Sequence, residues 1–298
     1  MIKIKLTYAA IKGLFLLSAF SFLLSSCSQD GDFEQEITKD TPLTIASTNV
    51  ADLTTRAINN GLLEGTPEAD ATMSVWITGS DDKYSAENMK WSHNGASWSS
   101  NTTVLYEGAE KQTIYALSPY VTTASYGMTV EADGVSMIID GKVDYLVATE
   151  TCITGNPVRL NMSHALTKLV LNPTYGSEVA EADRKIKEVS VLDMCNEGKL
   201  NIVDNTWSEQ GNRYYQFEMI NNEVLVMPID NCTSFRIKIY MEDAREFVAN
   251  ISLADVGNKL EGGTRYTINL QIGRDVVAVD DITAAPWVTE NGGNLETE

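Results

Sequence analysis

The clearest pattern along the chain is a two-residue alternation. In Phe235-Arg236-Ile237-Lys238-Ile239-Tyr240-Met241, the apolar side chains at 235, 237, 239 and 241 fall on one face, and Arg236 and Lys238 on the other. Successive side chains of an extended chain point to opposite sides, so this spacing predicts a half-buried strand. Tyr266–Ile272 alternates in the same way, and Ile186–Leu192 does so less cleanly. Runs rich in Val, Ile, Thr and Tyr predict further strands near Met73–Thr78, Gln112–Leu117, Val135–Asp140, Leu166–Asn172, Lys199–Val203, Glu223–Pro228 and Phe247–Leu253. Turn signals separate them at Asp133-Gly134, Asp140-Gly141, Asn221-Asn222 and Glu261-Gly262-Gly263. Only Ser177–Arg184 reads as a short helix. Many short strands, frequent turns and almost no helix predict an all-β fold of sandwiches or barrels. The cluster Thr154-Gly155-Asn156-Pro157, between two apolar runs, predicts a domain boundary.

The first residues follow a different rule. Lys3, Lys5 and Lys12 lead into the apolar stretch Gly13–Leu24, which ends in Ser25, Ser26 and Cys27. That order of charge, apolar run and small residues is the order of a secretory signal peptide. The run is too short for a spanning helix, which needs roughly 20 apolar residues. Leu23-Leu24-Ser25-Ser26-Cys27 resembles the lipobox of bacterial lipoproteins. The resemblance implies that residues 1–26 are removed and that Cys27 is acylated. Each buried methylene adds about 0.8 kcal/mol, so several acyl chains would hold the protein to the outer membrane. Ser28–Glu36 is polar and acidic, and reads as a flexible tether.

Charge narrows the choice of partners. The chain has 22 basic and 41 acidic residues; removing residues 1–26 takes three lysines and no acid, leaving 19 against 41, a net charge of −22. Such a surface repels nucleic acid and anionic lipid. Cys152, Cys195 and Cys232 are far apart, odd in number and without metal-ligand spacing. They read as small core residues, with one disulfide left open.

Catalytic patterns are absent from the sequence. His93 and His164 are the only histidines, and no HExxH, GxSxG, Walker or GxGxxG pattern occurs. The pairs Asp81-Asp82 and Asp280-Asp281 lack calcium-loop spacing and read as solvated turn residues. His164 reads as a buried or boundary histidine bonded to backbone. The chain is therefore read as a non-enzyme with no cofactor and no metal. A hydrolase built from two scattered carboxylates is the remote alternative, since no spacing marks such a pair. Tyr84, Trp91 and Trp98 lie close in sequence and read as core residues, with a sugar-stacking surface as the alternative.

After the lipobox comes Thr54-Thr55-Arg56-Ala57, then Tyr84, Asn88, Trp91, Gly95 and Trp98, then Ile114-Tyr115-Ala116-Leu117-Ser118-Pro119-Tyr120. Asp144-Tyr145-Leu146-Val147-Ala148 and His164-Ala165-Leu166-Thr167-Lys168-Leu169 follow, and Gly263, Tyr266 and Trp287 close the series. In this order the motifs resemble those of the fimbrillin family, the type V pilins of anaerobic Gram-negative bacteria, including its Mfa-like branch.

This resemblance implies two tandem transthyretin-like β-sandwich domains after a signal peptide and tether. The tether would span residues 27–56, the N-terminal domain 57–155 and the C-terminal domain 156–298. It also implies a fimbrial subunit that an arginine-specific protease cuts between Arg56 and Ala57. The cut would remove a strand, with Leu43-Thr44-Ile45-Ala46 as the candidate. The exposed edge could then accept a strand from another pilin subunit, in a homopolymer or heteropolymer. Asp275–Thr289, with Val276, Val277, Val279, Ile282 and Trp287, is the candidate donor. The alternative is a surface lipoprotein that does not polymerise and binds glycans or host molecules.

Overall fold

The computed structural model describes residues 39–50, 62–63, 66–67, 70–122, 130–131, 134–153, 157–208 and 210–287. Its strands are β1 (Ile45–Val50), β2 (Leu62–Leu63), β3 (Thr66–Pro67), β4 (Thr72–Ile77), β5 (Ala86–His93), β6 (Trp98–Ser100) and β7 (Thr113–Ser118). Then follow β8 (Val130–Glu131), β9 (Gly134–Ile138), β10 (Leu146–Thr151), β11 (Val158–His164), β12 (Thr167–Tyr175), β13 (Ile186–Met194) and β14 (Glu197–Asn201). The last are β15 (Thr206–Ser208), β16 (Tyr215–Glu218), β17 (Glu223–Val226), β18 (Ser234–Met241), β19 (Glu246–Ser252), β20 (Thr264–Ile272) and β21 (Val277–Pro286). The all-β expectation holds. Among the described residues the helical content is two 3-10 turns, Glu181–Asp183 and Ala254–Val256. The helix expected over Ser177–Arg184 is replaced by the first of these, which buries none of its residues. A segment that short has no apolar stripe to offset the cost of helix nucleation.

The largest sheet has the order β1-β11-β10-β7-β4-β5-β6. Three four-stranded sheets follow the orders β17-β12-β20-β21, β16-β13-β18-β19 and β15-β14-β9-β8, and β2 pairs with β3. Two of these sheets cross the boundary expected near residue 155: β10 pairs with β11, and β9 pairs with β14. β11 ends at His164 and β12 begins at Thr167, so a short link carries the chain from one sheet into another.

The seven-stranded sheet is apolar on both sides. Met73, Val75, Ile77, Ile114, Ala116, Leu146 and Ala148 pack in one cluster with Leu43, Ile45 and Trp98. Trp76, Leu117, Tyr145 and Val147 point the other way, into a larger cluster with Phe217, Phe235, Ile237, Tyr266 and Ile268. This explains why β4 reads as a nearly unbroken apolar run, because a strand covered on both faces has no polar side to show. β18 keeps its alternation. Phe235, Ile237, Ile239 and Met241 are buried, while Arg236 meets Asp193 at 2.6 Å and Lys238 meets Glu246 at 2.8 Å.

Asp140-Gly141 forms the expected turn, with Asp140 Oδ1 accepting from the backbone N–H of Lys142 at 2.9 Å. Gly141 has φ +81°, and a Cβ there would lie 2.8 Å from Phe217 Cδ1 and 2.9 Å from Val224 Cγ2. Backbone strain and crowding act together. Gly141→Ala is expected to destabilise the chain by about 2–4 kcal/mol, read as a shift of the urea midpoint at unchanged slope. An unchanged midpoint would show that the loop yields freely.

Candidate functional site

The segment upstream of Arg56 is built into the fold by two different pairings. Its first part runs beside residues 104–106. Asp40 N–H donates to Tyr106 O at 2.9 Å, Tyr106 N–H to Thr41 O at 2.8 Å, and Leu43 N–H to Val104 O at 2.8 Å. Its second part is β1, parallel to β11, with Ile45 opposite Val158 and Thr48 opposite Leu160. Val158 N–H donates to Thr44 O at 3.0 Å, where one pairing passes into the other.

A bulge at Ala46 sets which side chains face inward. The register jumps from Ile45↔Val158 to Ser47↔Arg159, so one residue of β1 has no partner. Leu43 and Ile45 therefore point inward two residues apart, and the next inward residue, Thr48, lies three residues on. Leu43 and Ile45 join the apolar cluster beneath the sheet. Thr48 is 1% exposed, and its Oγ1 accepts a hydrogen bond from Trp98 Nε1 at 3.3 Å. In place of the expected Leu43–Ala46 the strand is Ile45–Val50, with Leu43 just before it, and the polar residue Thr48 is part of the buried face.

Asp40 is a polar clamp at the start of this segment. Its carboxylate accepts from Tyr84 Oη at 2.6 Å and from Lys83 Nζ at 3.2 Å. The Tyr84 hydroxyl first, and Lys83 second, hold the Asp40 carboxyl below its ordinary 3.8. A depressed carboxyl stabilises the docked state above its ordinary value and loses that contribution as pH falls through the lowered one. Asp40→Asn is therefore expected to speed departure of the cut segment a few-fold at pH 7. It should also flatten the acceleration seen in acid, followed by the time course of co-elution. Equal release from both chains across pH would remove Asp40 as a clamp.

The candidate donor residues lie on and beside β21, an edge strand antiparallel to β20. Val277 lies opposite Ile272, Val279 opposite Leu270, and Ile282 opposite Ile268, with a bulge at Asp280. Val276 is 66% exposed, Val277 and Val279 are partly buried, and Ile282 and Trp287 are buried. Trp287 N–H donates to Gly263 O at 2.7 Å. Its ring stacks on His164 with centroids 3.8 Å apart and planes 12° apart. His164 Nδ1 lies 2.8 Å from Asp144 Oδ2, and Lys168 Nζ lies 5.7 Å from the Trp287 ring centroid. His164 and Trp287, which the sequence offered only as separate motifs, thus form one seat for the end of β21. Cys27, Arg56 and Ala57 lie outside the described residues.

Tyr84, Trp91 and Trp98 are buried, so the sugar-stacking alternative for them is overturned. Cys152, Cys195 and Cys232 are buried free thiols. Burial pushes the Cys152 thiol up to about 11 and raises that of Cys195, which keeps both protonated and unreactive near neutral pH. Two signals escaped the sequence reading: the role of Asp40, and the pairing of Thr48 with Trp98. Both join residues more than 40 positions apart.

Paired sheets that share buried apolar layers define a β-sandwich protein. Residues 55–287 match the fimbrillin-like family, and the chain belongs to it. Membership sets it among fimbrial structural proteins of the cell surface. No curated protein matches the chain. Among solved structures, a candidate cell adhesion protein from Bacteroides uniformis superposes with a TM-score of 0.63 at 13% identity, covering 83% of this chain and 98% of its own. A candidate cell adhesion protein from Bacteroides ovatus gives 0.62 at 14% identity, covering 85% and 100%. The C-terminally truncated tip fimbrial protein Mfa3 from Porphyromonas gingivalis gives 0.50 at 11% identity, covering 83% and 100%. At these identities the likeness is one of fold.

Proposed function

We propose that this chain is a subunit of a surface fimbria with a role in adhesion. It is made as an outer-membrane lipoprotein anchored at Cys27, cut between Arg56 and Ala57 by an arginine-specific protease, and joined to other pilin subunits by strand exchange. One observation carries the reading: β1 lies wholly upstream of Arg56, while its partner β11 lies downstream. A cut at Arg56 severs the closing strand from the sheet it closes. Its departure would leave unpaired N–H and C=O groups along β11, above a floor emptied of Leu43 and Ile45. An extended segment from a neighbouring subunit supplies both kinds of contact. β21 is the candidate donor in turn, since an edge strand can leave without breaking the interior of its sheet.

A second reading is favoured by the seat of Trp287. A strand whose end is stacked on His164 and bonded to Gly263 is well held at home. On that reading the subunit accepts a strand and does not give one, as a terminal subunit would.

The test treats purified precursor with an arginine-specific protease, with Arg56→Ala as control. Mass spectrometry reads the new N-terminus, and gels run without boiling read assembly. The expected result is Ala57 as the new first residue, with ladders for the native chain once a strand-donating partner subunit is supplied and none for the variant. A cut elsewhere, or loss of β1 without any partner strand taken up, would count against exchange at this edge.

A further inference from the structure

The inward face of β1 holds more information than apolarity. Among the described side chains the buried ones are Leu43, just before β1, and Ile45 and Thr48 within it, spaced two and then three residues apart across the bulge at Ala46. The first two need only bulk. The third is chemically distinct, because the Trp98 indole N–H donates to Thr48 Oγ1 at 3.3 Å inside the fold, with Trp98 itself 6% exposed. Indole nitrogen is only ever a donor, so whatever replaces β1 must present an acceptor there or leave a buried N–H unpaired.

β21 offers a direct comparison. Val277, Val279 and Ile282 have the same two-then-three spacing, with the bulge at Asp280 in the equivalent place. A second copy supplying β21 in that frame would match Leu43 and Ile45 with Val277 and Val279. It would then set Ile282, which has no acceptor, against Trp98. Shifting the frame back by one residue turns Val276, Ala278 and Asp281 inward. That supplies an acceptor at the cost of a buried carboxylate and a weak second anchor.

We propose that Trp98 is the specificity-determining residue of the β1 edge. It selects a strand from a different subunit, with two apolar side chains two residues apart and a small uncharged hydrogen-bond acceptor three residues further on, over the β21 strand of a second copy. The inference rests on the strand-exchange reading above and adds the chemistry of the partner.

The experiment uses the full chain cut at Arg56 and cleared of its upstream segment. Four synthetic peptides compete for the edge: residues 39–50, the same with Thr48→Val, residues 275–287, and the same with Ile282→Thr. Affinity is read by competition, and the Trp98 indole N–H is followed by NMR. Thr48→Val preserves shape and removes the acceptor, so it is expected to weaken binding about tenfold or more. Ile282→Thr is expected to strengthen the 275–287 peptide by a similar factor. In Trp98→Phe both differences should vanish; if that variant does not fold, the four peptides on the native chain still decide. Equal affinity of the 39–50 peptide with and without Thr48→Val overturns the inference, as does native 275–287 binding as well as 39–50. If the 39–50 peptide itself does not bind the emptied chain, the strand-exchange reading fails and this one with it.

Discussion

The chain cut at Arg56 and cleared of its upstream segment is expected to melt roughly 10–20 °C below the intact chain. Leu43 and Ile45 each lose the benefit of burial, about 1.5–3 kcal/mol apiece. The hydrogen bonds lost to Val104, Tyr106 and β11 add about 0.5–1.5 kcal/mol each. Ordering entropy recovered by the freed segment offsets part of this, leaving of order 5 kcal/mol. Calorimetry of the intact chain, the cut chain with its segment retained, and the cleared chain separates the covalent cut from the loss of the strand. The first two should melt alike and the third early, with excess 39–50 peptide restoring most of the difference. An unchanged melt, with the segment proven absent by mass, would mean that β1 is a passive cover.

Trp287→Ala is the other large effect. Removing a buried indole costs about 3–5 kcal/mol where the surroundings cannot collapse. The stack on His164, at 3.8 Å and 12°, leaves one flat face exposed once the ring is gone. The consequence should be local before it is global. Amides of β21 should lose most of their protection in hydrogen exchange, while those of β4 and β7, inside the seven-stranded sheet, should keep theirs. Full protection of β21 in the variant would show that its pairing with β20 suffices. Applied to assembly, the same variant separates the two readings of the C-terminus. A donating subunit should exchange its loosened strand faster, and an accept-only subunit should assemble at the native rate.

Strand type was most legible where one face meets water, though not at every such strand. β18 and β20 announced themselves because Arg236, Lys238, Asn269 and Gln271 alternate with buried residues. β11 alternates as cleanly, Val158, Leu160 and Met162 against Arg159, Asn161 and Ser163, yet the Gly-Asn-Pro cluster before it drew attention to a boundary instead. β4, covered on both faces, gave composition without a period. Of β1 only Ile45 and Ala46 fall within the expected β-prone run, because the bulge at Ala46 shifts the alternation beyond it. The site was harder to read than the fold. Leu43–Ala46 and Arg56 stand out along the chain, but Trp98 reaches Thr48, and His164 reaches Trp287, only through folding. An isolated motif shows that a tryptophan is buried; it does not show what its N–H meets.

The parallel direction of β1 and β11 has a mechanical consequence. A tail entering in the sense of β1, and tethered to its parent by its own N-terminal end, is tugged toward that end. β11 is held at its opposite end, where it runs on into β12. Force on such a filament slides one strand along the other, so the rungs share the load and must fail together rather than peel apart one at a time. An antiparallel occupant tethered the same way would be pulled from the end at which β11 is anchored, and would unzip.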